Sequence, residues 1–122
     1  MKRVLVIEDN ETNMYLISFI LKKNEYEIIG AKTGEEGVEL ALKKRPNLII
    51  MDIQLPGIDG LETTRRIRET KAGREVPIIA LTSYTMTGDR GKALSAGCTG
   101  YLEKPINPDT IMGEIKKYIK GD

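Results

Sequence analysis

The sequence predicts an α/β domain, five βα units folded as a doubly wound parallel sheet with helices on both faces. Three observations predict it. Short apolar runs alternate with stretches whose apolar residues fall three and four apart. The runs lack the every-other-residue polarity of a half-exposed strand, so they read as strands covered on both faces. Polar residues able to do chemistry follow those runs, where open parallel sheets bind ligands.

The elements follow in order. Val4–Ile7 is the first buried strand. From Thr12 to Lys23, Leu16, Ile17, Ile20 and Leu21 fall at helical spacing. Glu27–Ala31 is a weaker strand near an edge. Gly34–Lys44 is a helix with Val38, Ala41 and Leu42 on one face, stopped by Pro46. Leu48–Met51 is a buried strand ending at Asp52. Gly60–Thr70 is a helix with Leu61, Thr64 and Ile67 inward. Pro77–Leu81 is a strand ending at Thr82. Met86–Ala96 is helical, weakened at Gly88 and Gly91 by ~1 kcal/mol each relative to alanine. Thr99–Glu103 is the last strand. Asn107 caps the last helix with Pro108 at its first position, and Ile111, Ile115, Tyr118 and Ile119 give it an apolar face. Right-handed crossovers leave few topologies for such a chain, and the flavodoxin-like strand order 2-1-3-4-5 is the expected one.

Composition narrows the function classes. The 122 residues suit one domain, expected over 1–122 with no room for an output domain after the last helix. A net charge of +1 gives no bulk drive towards nucleic acid or an anionic membrane. Lys43, Lys44 and Arg45 close a helix, where positive charge suits the dipole. The single cysteine, Cys98, cannot form an internal disulfide and reads as a small buried residue. The apolar run after Met1-Lys2-Arg3 ends after four residues at Glu8, too short for a signal peptide, so a cytoplasmic protein is expected. There is no histidine. That removes Ser-His and Cys-His nucleophile pairs and imidazole metal ligands. Chemistry must run on carboxylates, hydroxyls, lysine and backbone.

Those groups collect at the strand ends. The first strand ends in Glu8-Asp9, the middle one in Asp52, the next in Thr82-Ser83 and the last in Glu103-Lys104-Pro105. The order 2-1-3-4-5 makes these four ends neighbours, so three carboxylates, a hydroxyl and an ammonium would share one cleft. Unit charges 4 Å apart repel by ~4 kcal/mol at an effective dielectric near 20. Lys104 offsets one charge. An all-oxygen donor set fits Mg²⁺ best, with Mn²⁺ as a substitute. A carboxylate beside that ion is a competent nucleophile towards a phosphoryl donor, with Thr82 and Lys104 placed to hold the transferring oxygens. Singly, each such residue is more often a cap or turn residue; the combination carries the signal.

Four segments carry a family resemblance: Val4-Leu5-Val6-Ile7-Glu8-Asp9-Asn10, Met51-Asp52-Ile53-Gln54-Leu55-Pro56, Ile79-Ala80-Leu81-Thr82 and Tyr101-Leu102-Glu103-Lys104-Pro105-Ile106. In that order, over essentially the whole chain, they resemble response-regulator receiver domains of two-component systems. Glu8-Asp9-Asn10-Glu11 with Asn13-Met14, Met51 to Pro56 and Gly97-Cys98 resemble stand-alone receivers that regulate cell division, and also receivers attached to hybrid histidine kinases.

The resemblance implies roles. Asp52 takes the phosphoacceptor position, and Thr82 and Lys104 bind the phosphoryl group. Asp9 binds Mg²⁺ directly, Glu8 reaches it through water, and Gln54 offers its backbone carbonyl. Thr82 and Tyr101 form the switch, and the Lys104–Pro105 peptide is cis. It implies a histidine kinase or histidine phosphotransfer protein as donor. It also implies a downstream protein bound through the fourth helix, last strand and last helix, and signalling rather than enzymatic turnover. The monomer is the expected form, with dimerisation on phosphorylation through the fourth and fifth helices left open. Gln54 and Tyr84 would flank the water that hydrolyses the acyl phosphate. Ser83 stands where such domains usually carry alanine, and Gly88 and Gly91 loosen the fourth helix. A receiver cut from a hybrid kinase or larger regulator is the alternative. An FMN binder of the same fold is disfavoured by the acidic Glu8-Asp9-Asn10 loop, and an aspartate phosphatase by Gln54 where the general acid should stand.

Overall fold

The computed structural model describes residues 2–83 and 89–119. Five strands, β1 (Arg3–Ile7), β2 (Glu27–Ala31), β3 (Leu48–Asp52), β4 (Ile78–Ser83) and β5 (Gly100–Lys104), alternate with five helices. These are α1 (Glu11–Lys23), α2 (Gly34–Lys44), α3 (Gly60–Arg68), α4 (Asp89–Ala96) and α5 (Ile111–Tyr118). All strand pairs are parallel and the order is β2-β1-β3-β4-β5, as the sequence predicts.

Alternation along the strands builds two cores. Leu5, Ile7, Ile49, Met51, Ile78 and Ala80 face Ala41 of α2, Ile67 of α3 and Ala93 of α4. Val4, Val6, Leu48, Ile50, Ile79 and Leu81 face Ile17, Ile20 and Leu21 of α1 and Ile111 and Ile115 of α5. β3 is buried at every position, the central strand of a sheet covered on both sides. Burying each of its aliphatic side chains contributes about 1.5–3 kcal/mol.

Some expectations shift. The buried stripe of α2 is Gly34, Gly37 and Ala41, while Leu42 is 41% exposed. The reason is close approach: a Cβ at Gly37 would lie 2.4 Å from Ile7 Cδ1. Apolar periodicity overlooks a helix that packs through glycines. α3 stops at Arg68 rather than Thr70, because Thr70 Oγ1 donates to the Ile67 carbonyl and accepts the Gly73 N–H, turning the chain. The last helix starts at Ile111, not Pro108. Asn107 instead caps a preceding turn, its Oδ1 accepting the Asp109 N–H at 2.9 Å and its carbonyl the Ile111 N–H at 3.0 Å. α4 is helical from Asp89; the expected start at 86–88, like Tyr84, lies outside the described residues.

Candidate functional site

Short loops bring the polar strand ends together. Asp52 closes β3 and is 3% exposed. Its Oδ2 lies 2.9 Å from Lys104 Nζ at the end of β5, and its Oδ1 accepts the Gln54 N–H at 3.0 Å. The Lys104–Pro105 peptide is cis, as expected. Glu8 follows β1 and is 1% exposed; its Oε2 accepts the Asn10 N–H at 3.2 Å. Asn10 also starts α1, its side chain accepting the Asn13 N–H. Asp9, between them, is exposed.

Carboxylate oxygens of Glu8, Asp9 and Asp52 all lie within 4.8 Å of one another. The electrostatic consequence appears at Glu8. Burial raises its pKa from 4.5 to about 7, helped by Asp52, which accepts a hydrogen bond from the protonated acid and repels the ionised one. The Asn10 N–H and Lys104 pull the other way without winning. Glu8 Oε1 is buried and receives no hydrogen bond. A lone carboxylate oxygen of this kind, facing two more carboxylates, fits a hard divalent cation, and the donor set is all oxygen.

Thr82 lies one residue before the end of β4 and is 2% exposed, its Oγ1 donating to the Leu102 carbonyl of β5 at 3.4 Å. Tyr101 pairs with Ala80 across the β4–β5 ladder and packs, half buried, against the core of α2, α3 and α4. Thr82 lies two residues past Ala80, so it shares that face with Tyr101. The Gln54 side chain is exposed; it is its backbone that enters the site. Sequence reasoning named Asn10 and Gly60 without giving either a role at the site. Asn10 carried a readable signal, a polar cap directly before a helix. Gly60 carried a weaker one, the Asp-Gly pair opening α3.

The family model for the response regulator receiver domain matches residues 4–116. This chain belongs to the response-regulator receiver domain family. It is 40% identical over 121 residues to the polar-differentiation response regulator DivK of Brucella anthropi, covering 99% of this chain and 98% of that one. Among solved structures it is similar to the receiver domain of the sensor histidine kinase PA1611 of Pseudomonas aeruginosa. There the TM-score is 0.90 at 36% identity over 97% of each chain, and that structure has a magnesium ion coordinated in the active site cleft. It is also similar to a Saccharomyces cerevisiae response-regulator receiver domain co-crystallised with its histidine phosphotransfer protein. The TM-score is 0.88 at 32% identity, over 97% of this chain and 88% of that one. The chain is thus a receiver of two-component signalling with the fold its sequence predicts. Among the described residues no helix is long and apolar enough to cross a membrane.

Proposed function

We propose that this chain is a stand-alone response regulator that accepts a phosphoryl group on Asp52 and signals by phosphorylation-controlled partner binding. The observation that carries this reading is the setting of Asp52. It is a buried carboxylate with one oxygen on Lys104 Nζ, the other on the Gln54 N–H, and two more carboxylates within 4.8 Å. Near-complete coverage of both chains in the DivK match supports a single-domain regulator over residues 1–122.

Glu8, Asp9, Asp52 and the Gln54 backbone carbonyl would hold Mg²⁺. The ion, when bound, supplies positive charge against the transferring phosphoryl oxygens. The chain's own residues do the rest. An Asp52 carboxylate oxygen attacks phosphorus as the bond to the donor's imidazole nitrogen breaks, and the imidazole leaves with the electron pair. Lys104 leaves its pairing with Asp52 for a phosphoryl oxygen, and Thr82 exchanges its bond to the Leu102 carbonyl for another. The new group adds about −1.5 to −2 charge beside Asp52. Movement of Thr82 frees space on the face it shares with Tyr101, and Tyr101 follows, biasing the surface of α4, β5 and α5 towards its partner. A histidine kinase or histidine phosphotransfer protein is the donor in this scheme, which the complex of the yeast relative supports.

The test is intact mass after incubation with a small acyl phosphate, with and without Mg²⁺. A Mg²⁺-dependent gain of one phosphoryl group, absent in Asp52→Asn, is expected. A gain that persists in that variant would remove Asp52 as the acceptor. No gain with Mg²⁺ and several donors would overturn the reading.

A further inference from the structure

Gly60 sits where the helix α3 meets the backbone that carries Asp52. It is the first residue of α3 and is buried. A Cβ there would lie 2.5 Å from the Asp52 carbonyl oxygen, 2.7 Å from Ile53 Cα and 3.2 Å from the Asp52 carbonyl carbon. All three are main-chain atoms, so no side chain can swing away to make room. The Gly60 N–H donates to the Ile53 carbonyl at 2.8 Å, closing the loop from 53 to 60 onto itself. On the opposite side the Ile53 N–H reaches the Leu81 carbonyl of β4 at 3.2 Å. The peptide after Asp52 is therefore held between β4 and the bare backbone of α3. One residue on, the Gln54 N–H orients the Asp52 carboxylate at 3.0 Å.

We infer that Gly60 is a positioning residue for phosphoryl acceptance. Its lack of a side chain lets α3 rest on the Asp52–Ile53 peptide and so fixes where the Asp52 carboxylate and the Gln54 backbone stand. The inference rests on the reading of Asp52 as acceptor. Loss of one Cβ-sized gap displaces both an attacking oxygen and a backbone group of the cation site. The cap of α3 serves the same end: Asp59 Oδ1 accepts the Glu62 N–H at 2.9 Å and holds the first turn in place.

The molecule supplies its own control. A Cβ at Gly73 would lie 2.3 Å from the Ile67 carbonyl oxygen, a main-chain clash as severe, but at the other end of α3. Gly113 has nothing within 4 Å of its Cβ position. The experiment compares wild type, Gly60→Ala, Gly73→Ala and Gly113→Ala, each first checked for fold by circular dichroism. Mg²⁺ affinity is read by calorimetry and the rate of phosphorylation by a small acyl phosphate by intact mass. Gly60→Ala is expected to slow phosphorylation by about 10- to 100-fold, the cost of misplacing a reacting group by up to an ångström, and to weaken Mg²⁺ binding. Gly73→Ala is expected to lower the melting temperature while keeping both readouts within about twofold of wild type. Asp59→Ala loosens the same turn without adding an atom, and covers the case in which Gly60→Ala does not fold. It is expected to lose a smaller factor in both readouts, with Asp59→Asn restoring them because asparagine caps as well. Wild-type rate and Mg²⁺ affinity in a folded Gly60→Ala overturn the inference, as does equal loss in Gly73→Ala. An unaltered Asp59→Ala overturns it if Gly60→Ala is unfolded. A wild type that takes no phosphoryl group would instead sink the reading of Asp52, a separate result.

Discussion

At the carboxyl end of the sheet Glu8 lies buried with one oxygen receiving no hydrogen bond, while at the amino end Arg68 divides its guanidinium among four acceptors. Its Nε donates to the Gly97 carbonyl at 2.8 Å, Nη1 to those of Gly73 and Val76 at 2.9 and 2.6 Å, and Nη2 to Thr99 Oγ1 at 3.3 Å. Thr99 Oγ1 in turn accepts the Ile78 N–H at 3.0 Å. One side chain thus ties the end of α3 to the starts of β4 and β5. Charge follows the same axis: Glu11, Glu35, Glu36 and Glu62 open helices at the site end, and Lys22, Lys23, Lys43, Lys44, Arg65, Arg66 and Arg68 close them at the other. The helix dipoles favour this distribution, so it costs the helices nothing while adding to the negative field around Asp52. What the contrast teaches is a division of labour. A half-buried cation with four acceptors fixes the fold at one end; the crowded, buried carboxyls of Glu8 and Asp52 at the other are left for a cation and a phosphoryl group to complete.

Breaking the satisfied end should produce the larger effect on stability. Arg68→Met keeps much of the apolar volume but leaves three partly buried carbonyls without their donor. A loss of about 2–3 kcal/mol is expected, read as a lower urea midpoint at unchanged slope. Arg68→Lys should recover little, since an ammonium cannot span acceptors on two sides as a planar fork does. Phosphorylation of the folded Arg68→Met variant should proceed at the wild-type rate. If acceptance fell with the fold intact, the two ends would be coupled and the division drawn above would be wrong.

At the unsatisfied end the sign reverses. Glu8→Gln removes one of three crowded carboxylates and keeps the shape. At pH 8, where Glu8 is largely ionised, and in the presence of chelator, it should add about 1 kcal/mol of stability, read as a higher urea midpoint, because a neutral amide loses less than an ionised acid on burial. Mg²⁺ affinity should fall by about tenfold at the same time, the usual scale for weakening a metal site through one supporting group. A variant that is less stable without metal would mean that Glu8 is already satisfied by the protein, and the claim of an unfinished site would fail.

The fold was legible because its main signal was hydrophobic and periodic. β3 reads as a buried run from Leu48 to Met51 and is buried throughout. The candidate site was legible because sheet topology, once inferred, makes neighbours of Glu8, Asp9, Asp52, Thr82 and Lys104, and Asp52 does meet Lys104 at 2.9 Å. What was not legible depends on contacts without an apolar or charged signature. Gly37 faces the core because α2 approaches β1 closely there, and Gly34 because α2 approaches Ile58 just before α3 and Thr63 within it, whereas periodicity chose Leu42. The start of α5 moved from Pro108 to Ile111 because Asn107 caps a separate turn, which no local propensity distinguishes from a helix cap. Arg68 carried no signal in the sequence, because its four acceptors come from segments up to 31 residues away.

Cys98 reports on how tightly the amino end is held. It lies in the chain that Arg68 anchors, buried, with Sγ 3.6 Å from Thr64 Oγ1. Burial pushes its thiol pKa above 9.0, with Thr64 and Arg68 pulling back only in part. The folded state then holds the proton more tightly than the unfolded chain. This group's contribution to stability is full below pH 9 and declines as pH rises through the folded-state value. At pH 8 the native thiol should therefore resist iodoacetamide, reacting about 100-fold or more slowly than in urea, as an opening free energy near 3 kcal/mol requires. Arg68→Met should speed labelling, because Gly97 and Thr99 on either side lose their anchor, whereas Glu8→Gln should leave it unchanged. Labelling of the native wild type at the rate of the unfolded chain would show that the amino end opens freely, and that the network around Arg68 does not hold it shut.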